Sequence, residues 1–445
     1  GRVDMNNLAL IGHSRGGEAV GHAAAFNRLS HYPDDASLTF NFNFNIKAII
    51  AIAPVDGQYL PTNRFVPVEN IDYMVFHGSH DGDVTSFHGI RLYQRVKFTD
   101  NQPHLKAAIY VYRANHGQWN TTWGAHDSGP RSGRMLDLRG LLDPEDQQEF
   151  AKIYISAFLE KSLHQNGRYL PLFRDHRVAG NWLPETMYVT QFQDGTFRPL
   201  ATFEEDIDVT TGSTAGVELI GDSLSLWSER ELVLRSRNRE NTSASQVNQA
   251  VWLGWNREVR GTEELGRPAT FSITLPDTLG HVWGLGDGAS LQLSLLPTDD
   301  EPRPRLVDGG TNQEEESRSR SGSVRNDEGV KEPIDVSIEI KDSKGHSAKV
   351  ALSGYGPIRR PLEIHVLRRG DLERSRFVEL HEFVFQTFSI PLSDFTQLDP
   401  ALDLKTLNEI RLVFDLSVAG TVVLDDVGMA FLDDAFMAVR MPSNL

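Results

Sequence analysis

The sequence predicts two unlike folding units, an α/β unit over residues 1–175 and an all-β sandwich over residues 176–445. In the first unit, short apolar runs alternate with stretches of helical periodicity, which is typical of parallel strands joined by crossover helices. In the second unit helical periodicity nearly disappears, and short alternating segments are separated by Gly, Asn and Asp turns. A length of 445 residues also suits two or three domains.

The composition excludes several classes of protein. There are 44 Lys and Arg against 61 Asp and Glu, and the net charge of −17 predicts no nucleic-acid partner because phosphate would be repelled. The chain has no cysteine, which excludes disulfides, thiolate metal ligands and a cysteine nucleophile. No apolar stretch predicts a transmembrane segment, and the first residues do not have the pattern of a signal peptide. These features do not distinguish a bacterial cytoplasmic protein from a secreted one.

Four buried strands and two helices are predicted in the first unit. The strands cover residues 8–11, 48–53, 74–76 and 107–112, each of which is a continuous apolar run. An Ala-rich helix is predicted at residues 18–29, and a longer helix at residues 144–163 carries its apolar side chains on one face. We expect that face to cover the sheet.

The strongest local motif is Gly12-His13-Ser14-Arg15-Gly16, which directly follows the first strand and precedes the first helix. A serine at the apex of such a strained strand-to-helix turn, a nucleophile elbow, needs small flanking residues, because larger ones would collide with the neighbouring strand and helix. The N-terminus of the helix also adds positive potential near the serine. The motif therefore predicts Ser14 as a nucleophile.

With this elbow the chain resembles the α/β-hydrolase superfamily, whose catalytic triad follows the order Ser, acid, His. The resemblance covers residues 1–175, which would form the C-terminal half of the catalytic domain. Within the superfamily, the elbow and the acid turn are similar to dienelactone-hydrolase-like, acetylhydrolase-like and cutinase-like enzymes. The resemblance implies cleavage of a small or polymeric carboxylic ester through an acyl-enzyme on Ser14, with no metal and no cofactor.

The resemblance also implies the acid and the base. The acid is expected after the second strand beyond the elbow, where HGSHDGD contains Asp81 as the first choice and Asp83 as a close alternative. Asp56, after the intervening strand, is a more distant alternative. His116 follows the next strand and precedes a glycine, so it is expected to be the general base whose tautomer the acid fixes.

Arg15 and three aromatic residues complete the predicted site. The backbone N–H of Arg15 is expected to form one half of the oxyanion hole. In the family the other half precedes the elbow, whereas only thirteen residues precede Ser14 here. We therefore expect that this chain lacks the first half of the catalytic domain and is weakly active alone. His13, Trp119 and Trp123 are candidates for the substrate pocket, although packing of their loop onto the domain explains the two tryptophans equally well.

The second unit is predicted to be a jelly-roll β-sandwich. Its candidate strands cover residues 250–253, 270–275, 290–295, 335–340, 348–352, 379–390, 410–414 and 421–429. Residues 300–332 are rich in Ser, Gly and charged residues and almost free of apolar ones, which predicts a flexible insertion.

Two segments of the sandwich carry a second resemblance. FSIPLSDF at residues 388–395 and IRLVFDLSVAGTVVLDDV at residues 410–427 resemble the galactose-binding-like jelly rolls of carbohydrate-binding modules. This resemblance implies a glycan or polymer surface as a partner. It also supplies an alternative function, a non-catalytic carbohydrate- or surface-binding protein whose hydrolase scaffold is vestigial or truncated.

Several residues of the sandwich are weaker candidates for a binding site. Asp425 and Asp426 suggest calcium, but outward-facing positions on an alternating strand explain them more simply, so no metal site is predicted. Trp252, Trp255 and Trp283 are candidates for stacking on a sugar, with packing in the core as the better explanation for each.

Overall fold

The computed structural model describes residues 4–127, 129, 133–235, 244–304, 333–377 and 379–440. Its strands are β1 (Leu8–His13), β2 (His31–Tyr32), β3 (Asp35–Thr39), β4 (Ile46–Ile52), β5 (Val68–Glu69), β6 (Asp72–Gly78), β7 (Val96–Lys97), β8 (Leu105–Val111), β9 (Tyr188–Asp194), β10 (Arg198–Ala201), β11 (Glu218–Asp222), β12 (Leu226–Val233), β13 (Ser245–Asn256), β14 (Ala269–Thr274), β15 (Ala289–Pro297), β16 (Ser337–Asp342), β17 (Ser347–Ala351), β18 (Gln386–Pro391), β19 (Leu407–Phe414) and β20 (Ala419–Phe431). Its α-helices are α1 (Arg15–Phe26), α2 (Ile90–Arg95), α3 (Pro144–His164), α4 (Leu170–Arg174), α5 (Leu279–Trp283), α6 (Gly370–Arg376), α7 (Leu392–Leu398) and α8 (Asp434–Val439). No helix within these ranges is long and apolar enough to cross a membrane. The predicted flexible insertion at residues 300–332 lies outside the described residues from 305 onward.

The first unit is built on a five-stranded sheet in the order β1-β4-β6-β8-β9. The first four strands are parallel and overlap the four predicted strands, which confirms them. The fifth strand, β9, pairs antiparallel with β8 along its whole length. It lies beyond the predicted unit boundary at residue 175, so the first sheet also uses chain that the sequence analysis assigned to the sandwich.

Both faces of this sheet are buried at β4, β6 and β8, which explains the continuous apolar runs of these strands. On one face Ile50 of β4 belongs to a core with Phe150 and Tyr154 of α3. On the opposite face Ile49 belongs to a second core that includes Val20 of α1. Residues of the second unit also enter this second core, so the two units share apolar packing.

The second unit consists of two antiparallel sheets with a common core between them. One sheet has the order β12-β13-β20-β15-β18, with β10 on β20, and the other has the order β11-β14-β19-β16-β17. Most successive strands alternate between the sheets, as in a jelly roll. The predicted β-sandwich is thus confirmed, with one correction: within the predicted strand 379–390, pairing begins only at Gln386. The preceding segment runs instead toward the first unit, where Glu382 accepts a hydrogen bond from Phe87 N at 3.3 Å.

The tryptophans of the sandwich mainly serve packing. Trp255 is fully buried and stacks on Phe414 with ring centroids 4.4 Å apart. Trp252 is buried as well. Trp283 is half-buried, and the guanidinium of Arg198 lies 5.9 Å from its ring centroid. Packing in the core is therefore confirmed for Trp252 and Trp255.

Asp425 does not face solvent and Asp426 is only partly exposed, which corrects the sequence interpretation. Both lie on β20, in the sheet whose strand β18 accepts hydrogen bonds from β9 of the first sheet, so the face expected to be open is partly covered. Asp425 is only 1% exposed and accepts a hydrogen bond from Asn248 Nδ2 at 2.7 Å. Gln191 Nε2 of β9 donates to Asp426 at 3.5 Å. Burial of Lys106 at the same junction lowers its pKa to about 8, although the charge of Asp426 acts in the opposite direction.

Arg174 is a deeply buried cation between the two units. Its guanidinium donates to the carboxylate of Asp194 and, at 3.2 Å, to the carbonyl oxygen of Phe431 in β20. The guanidinium also lies 4.7 Å from the ring centroid of Phe192. Since the Arg174 side chain is 0% exposed, its charge depends on these contacts for compensation.

We expect Arg174→Ala to lower the free energy of unfolding, measured by urea denaturation, by about 3–5 kcal/mol, because it leaves the Asp194 carboxylate buried without its partner. Arg139→Ala is the matched control: Arg139 also pairs with an aspartate, Asp137, at 2.6 Å, but its side chain is 85% exposed. The control should leave the unfolding midpoint unchanged. An equal loss in both variants would contradict the importance of the buried contact.

Candidate active site

Ser14 occupies a strained turn between β1 and α1. Its φ of 59° and ψ of −123° lie in a region that residues with a side chain rarely adopt. The Ser14 N–H donates to the carbonyl oxygen of Ile52 in β4 at 2.9 Å, which fixes the turn at the carboxyl end of the sheet. A Cβ atom at Gly12 would lie 1.9 Å from the carbonyl oxygen of Gly16, so the turn requires glycine at position 12.

Arg15 is the first residue of α1. The N–H groups in the first turn of a helix have no acceptor within the helix, and they carry the positive end of its dipole. The backbone N–H of Arg15 therefore belongs to an environment that favours negative charge next to Ser14.

Asp81 lies in the turn that follows β6 and is 1% exposed. Its Oδ1 accepts hydrogen bonds from the backbone N–H groups of Asp83 at 2.9 Å and Val84 at 2.7 Å. Its Oδ2 lies 2.7 Å from Nδ1 of His116. The carboxylate is thus held by its own turn and directed at the imidazole.

His116 follows β8, and its ring is fully buried. The ring centroid of His13, which directly precedes Ser14, lies 4.7 Å from that of His116, so the elbow and the imidazole are neighbours. Nε2 of His116 has no hydrogen-bond partner among the described residues, and therefore none to Ser14. The structure brings the serine turn, His116 and Asp81 together, with the His116–Asp81 hydrogen bond already formed.

The two alternative acids lie in different surroundings. Oδ2 of Asp83 lies 3.6 Å from Nε2 of His116, on the side of the ring opposite Asp81, and its side chain is 49% exposed. Asp56 instead forms a bidentate ion pair with Arg95, with both distances 3.0 Å. Among the described residues, no group of three or more His, Asp or Glu is arranged to hold a metal ion.

The charges around His116 control its protonation. Burial by itself lowers the pKa of His116, but the Asp81 hydrogen bond and the charges of Asp81, Asp83 and Asp127 outweigh burial and raise it. Burial raises the pKa of Asp81 to about 6, against the opposing effect of the His116 hydrogen bond. Burial also lowers the pKa of His13 to about 4, so His13 is neutral at neutral pH.

Trp123 and Trp119 have different surroundings. The ring of Trp123 stacks on His116 with centroids 5.7 Å apart and lies 4.8 Å from His13. It is 50% exposed, so part of the ring is open to solvent. Trp119 is 7% exposed and packs on Phe76 at 4.8 Å in the core beneath α3.

Sequence analysis missed the polar residues that hold the base turn. Asn115 N donates to Gln147 Oε1 at 3.1 Å, and Gln147 Nε2 donates back to the carbonyl oxygen of Asn115 at 2.8 Å. Asp127 accepts hydrogen bonds from the turns of both Asp81 and His116. A polar residue on the apolar face of a helix is only a weak sign of a functional role, and Gln147 has no other. Asp127 lies in no recognisable sequence motif.

No protein-family model matches this chain, and no curated protein matches it. Among solved structures, the chain is similar to the family 11 carbohydrate-binding module of cellulase Lic26A-Cel5E of Clostridium thermocellum, with 10% identity over 53% of this chain and 95% of the module, at a TM-score of 0.26. A family 30 carbohydrate-binding module of cellulase Cel9D-Cel44B of Clostridium thermocellum has 12% identity over 53% of this chain and 95% of the module, at a TM-score of 0.24. An exo-β-agarase has 9% identity over 54% of this chain and 26% of the agarase, at a TM-score of 0.30. Scores this low do not establish a common fold, so the description of the sandwich rests on its own strand pairing.

We expect Asp83→Asn to lower the pKa of His116, measured by NMR titration of the imidazole, because the substitution removes a negative charge that favours the imidazolium. Asp222→Asn is the control, since Asp222 lies in the sandwich with its side chain 51% exposed. An unchanged or raised pKa of His116 in Asp83→Asn would contradict the electrostatic coupling.

Proposed function

We propose that this chain is a serine hydrolase of the α/β-hydrolase kind that cleaves carboxylic esters. The observation that carries the proposal is the 2.7 Å hydrogen bond between fully buried His116 and Asp81, placed beside the strained turn of Ser14. A buried imidazole bonded to a buried carboxylate has no evident packing role, whereas such a pair beside a serine suits proton transfer.

In the first step, Ser14 Oγ attacks the carbonyl carbon of the ester, and His116 Nε2 takes the serine proton. In the part of the chain that the structure describes, Nε2 has no hydrogen-bond partner that would compete for this proton. Asp81 stabilises the resulting imidazolium through Nδ1. The negative charge on the carbonyl oxygen faces the N–H of Arg15 and the N-terminus of α1.

Expulsion of the alcohol and hydrolysis of the acyl-enzyme complete the cycle. The tetrahedral intermediate expels the alcohol oxygen, which takes the proton from His116, and the acyl group remains on Ser14 Oγ. Water then attacks the acyl carbon and gives a proton to His116. When the carboxylic acid leaves, His116 returns that proton to Ser14 Oγ, and the chain is restored without a cofactor.

A second candidate function, glycan binding, is favoured by a cavity of about 720 Å³ between the two units, which apolar and polar residues line together. Its volume falls in the range of small-molecule sites, which often lie at domain interfaces. Phe98 and Phe197 line it with apolar rings, while Gln193, Asn248 and Asp426 line it with hydrogen-bonding groups. Apolar rings beside hydrogen-bonding groups suit a polyhydroxylated ligand.

We expect Ser14→Ala to abolish covalent labelling by a fluorophosphonate and to reduce kcat/KM for a p-nitrophenyl ester by about 10³-fold or more, because the nucleophile is lost. His116→Ala should reduce kcat/KM to a similar extent. The double variant should be little worse than either single variant, since the two residues act as one unit. Hydrolysis that persists in Ser14→Ala would contradict the proposal.

For glycan binding, we expect the chain to be retained by at least one member of an array of soluble oligosaccharides. Phe197→Ala and Gln193→Ala should each weaken retention about tenfold, because each removes a contact worth about 1.4 kcal/mol. Lys349→Ala, whose side chain lies 46% exposed on the other sheet, is the control. The proposal is wrong if no oligosaccharide is retained, or if the control weakens retention as much.

A further inference from the structure

Asp127 connects the turn of the candidate acid to the turn of the candidate base. Its Oδ2 accepts hydrogen bonds from Gly82 N at 2.8 Å and from His116 N at 3.1 Å. Its Oδ1 accepts hydrogen bonds from Gly117 N at 2.8 Å and from Asn115 Nδ2 at 2.7 Å. One carboxylate therefore holds the residue next to Asp81 and the backbone of His116 itself.

The strands bring the two turns together but do not fix their tips. β6 and β8 are parallel neighbours, so both turns leave the same edge of the sheet. Near the strands the turns are joined by backbone hydrogen bonds, such as His80 N to the carbonyl oxygen of Ala114 at 2.9 Å. At the tips, Asp127 supplies a charged acceptor that N–H groups of both turns share. Charged acceptors form shorter and stronger hydrogen bonds than neutral ones, so the tips are held at a defined separation.

The charge of Asp127 also belongs to the field that acts on His116. Burial raises the pKa of Asp127, while the hydrogen bonds from Gly82, Gly117 and His116 oppose that shift. The other ionisable groups that face the imidazole are Asp81 at Nδ1, Asp83 at 3.6 Å from Nε2 and His13 at 4.7 Å between ring centroids. Burial lowers the pKa of the fully buried His77, on β6, well below its usual value, and the charge of His116 lowers it further.

We propose that Asp127 is a positioning residue that sets the alignment of His116 with Asp81. The proposal rests on the proposed function, because alignment matters for catalysis only if these two residues serve Ser14. It differs from a purely structural role, in which Asp127 would only anchor its own loop. A structural role lowers stability but leaves the His116–Asp81 hydrogen bond as it is.

The test substitutes Asp127→Asn, which removes the charge and presents an NH₂ group to some of the N–H donors. Asp342→Asn is the matched control, because Asp342, like Asp127, accepts hydrogen bonds from three backbone N–H groups, those of Lys344, His346 and Asp403. It lies in the sandwich, on β16. Both variants remove one carboxylate that three backbone donors satisfy.

The readouts are the NMR resonance of the His116 Nδ1 proton, the pKa of His116, the melting temperature and kcat/KM. We expect Asp127→Asn to shift or broaden the Nδ1 proton resonance, to lower the pKa of His116 and to reduce kcat/KM about 10²-fold, as misalignment of about 1 Å does. Asp342→Asn should lower the melting temperature without changing any His116 readout.

An Nδ1 resonance and a His116 pKa that stay unchanged in Asp127→Asn, beside a melting temperature lowered as in Asp342→Asn, would overturn the positioning role. The NMR readouts do not require activity. If Ser14 of the wild-type chain fails to react with a fluorophosphonate, the proposed function fails, while the resonance of the Nδ1 proton still decides whether Asp127 aligns the pair.

Discussion

The buried hydrogen bond between His116 and Asp81 is the constraint on which the rest of the candidate site depends. An imidazole that is 0% exposed and a carboxylate that is 1% exposed have lost their water, so neighbouring groups must compensate them. The backbone N–H groups of Asp83 and Val84 do so for Asp81, which is possible because the chain turns sharply after β6. The parallel pairing of β6 with β8 then brings His116 to the same edge of the sheet. Strand pairing, turn geometry and charge compensation are therefore all needed for the His116–Asp81 hydrogen bond.

The sandwich helps to hold the turn of Asp81 in place. Arg235 of the second unit donates from Nε to the carbonyl oxygen of Thr85 at 3.2 Å, and its own carbonyl oxygen accepts a hydrogen bond from Ser86 Oγ. Glu382, also of the second unit, accepts from Arg235 N at 2.9 Å and from Phe87 N at 3.3 Å. These contacts fix the chain directly after the turn of Asp81. The second unit thus stabilises the acid turn of the first.

The elbow and the parallel strands could be predicted because their causes are local. A strand buried on both faces leaves a continuous apolar run, and the close approach of Gly12 to Gly16 demands glycine. β9 gave no such signal, since its Thr190 and Gln191 are polar yet fully buried against the sandwich. The burial of Asp425 likewise depends on what packs against its sheet. The alternation of polar and apolar residues along a single strand does not contain that information. The hydrogen bonds of Asp127 depend on where a loop returns, which no local pattern encodes.

The position of β9 bears on how such a protein can be recombined. A gene fusion with its crossover at residue 175 would remove the antiparallel neighbour of β8 from Leu105 to Val111 and leave a bare, aggregation-prone edge. A crossover after residue 194 would keep that strand but cut its other anchors. Those anchors are the hydrogen bonds from Thr190 N to Gln386 and from Phe192 N to Thr387, each 3.1 Å. Each unit depends on strands and hydrogen bonds of the other, so a recombined protein would have to keep both units together.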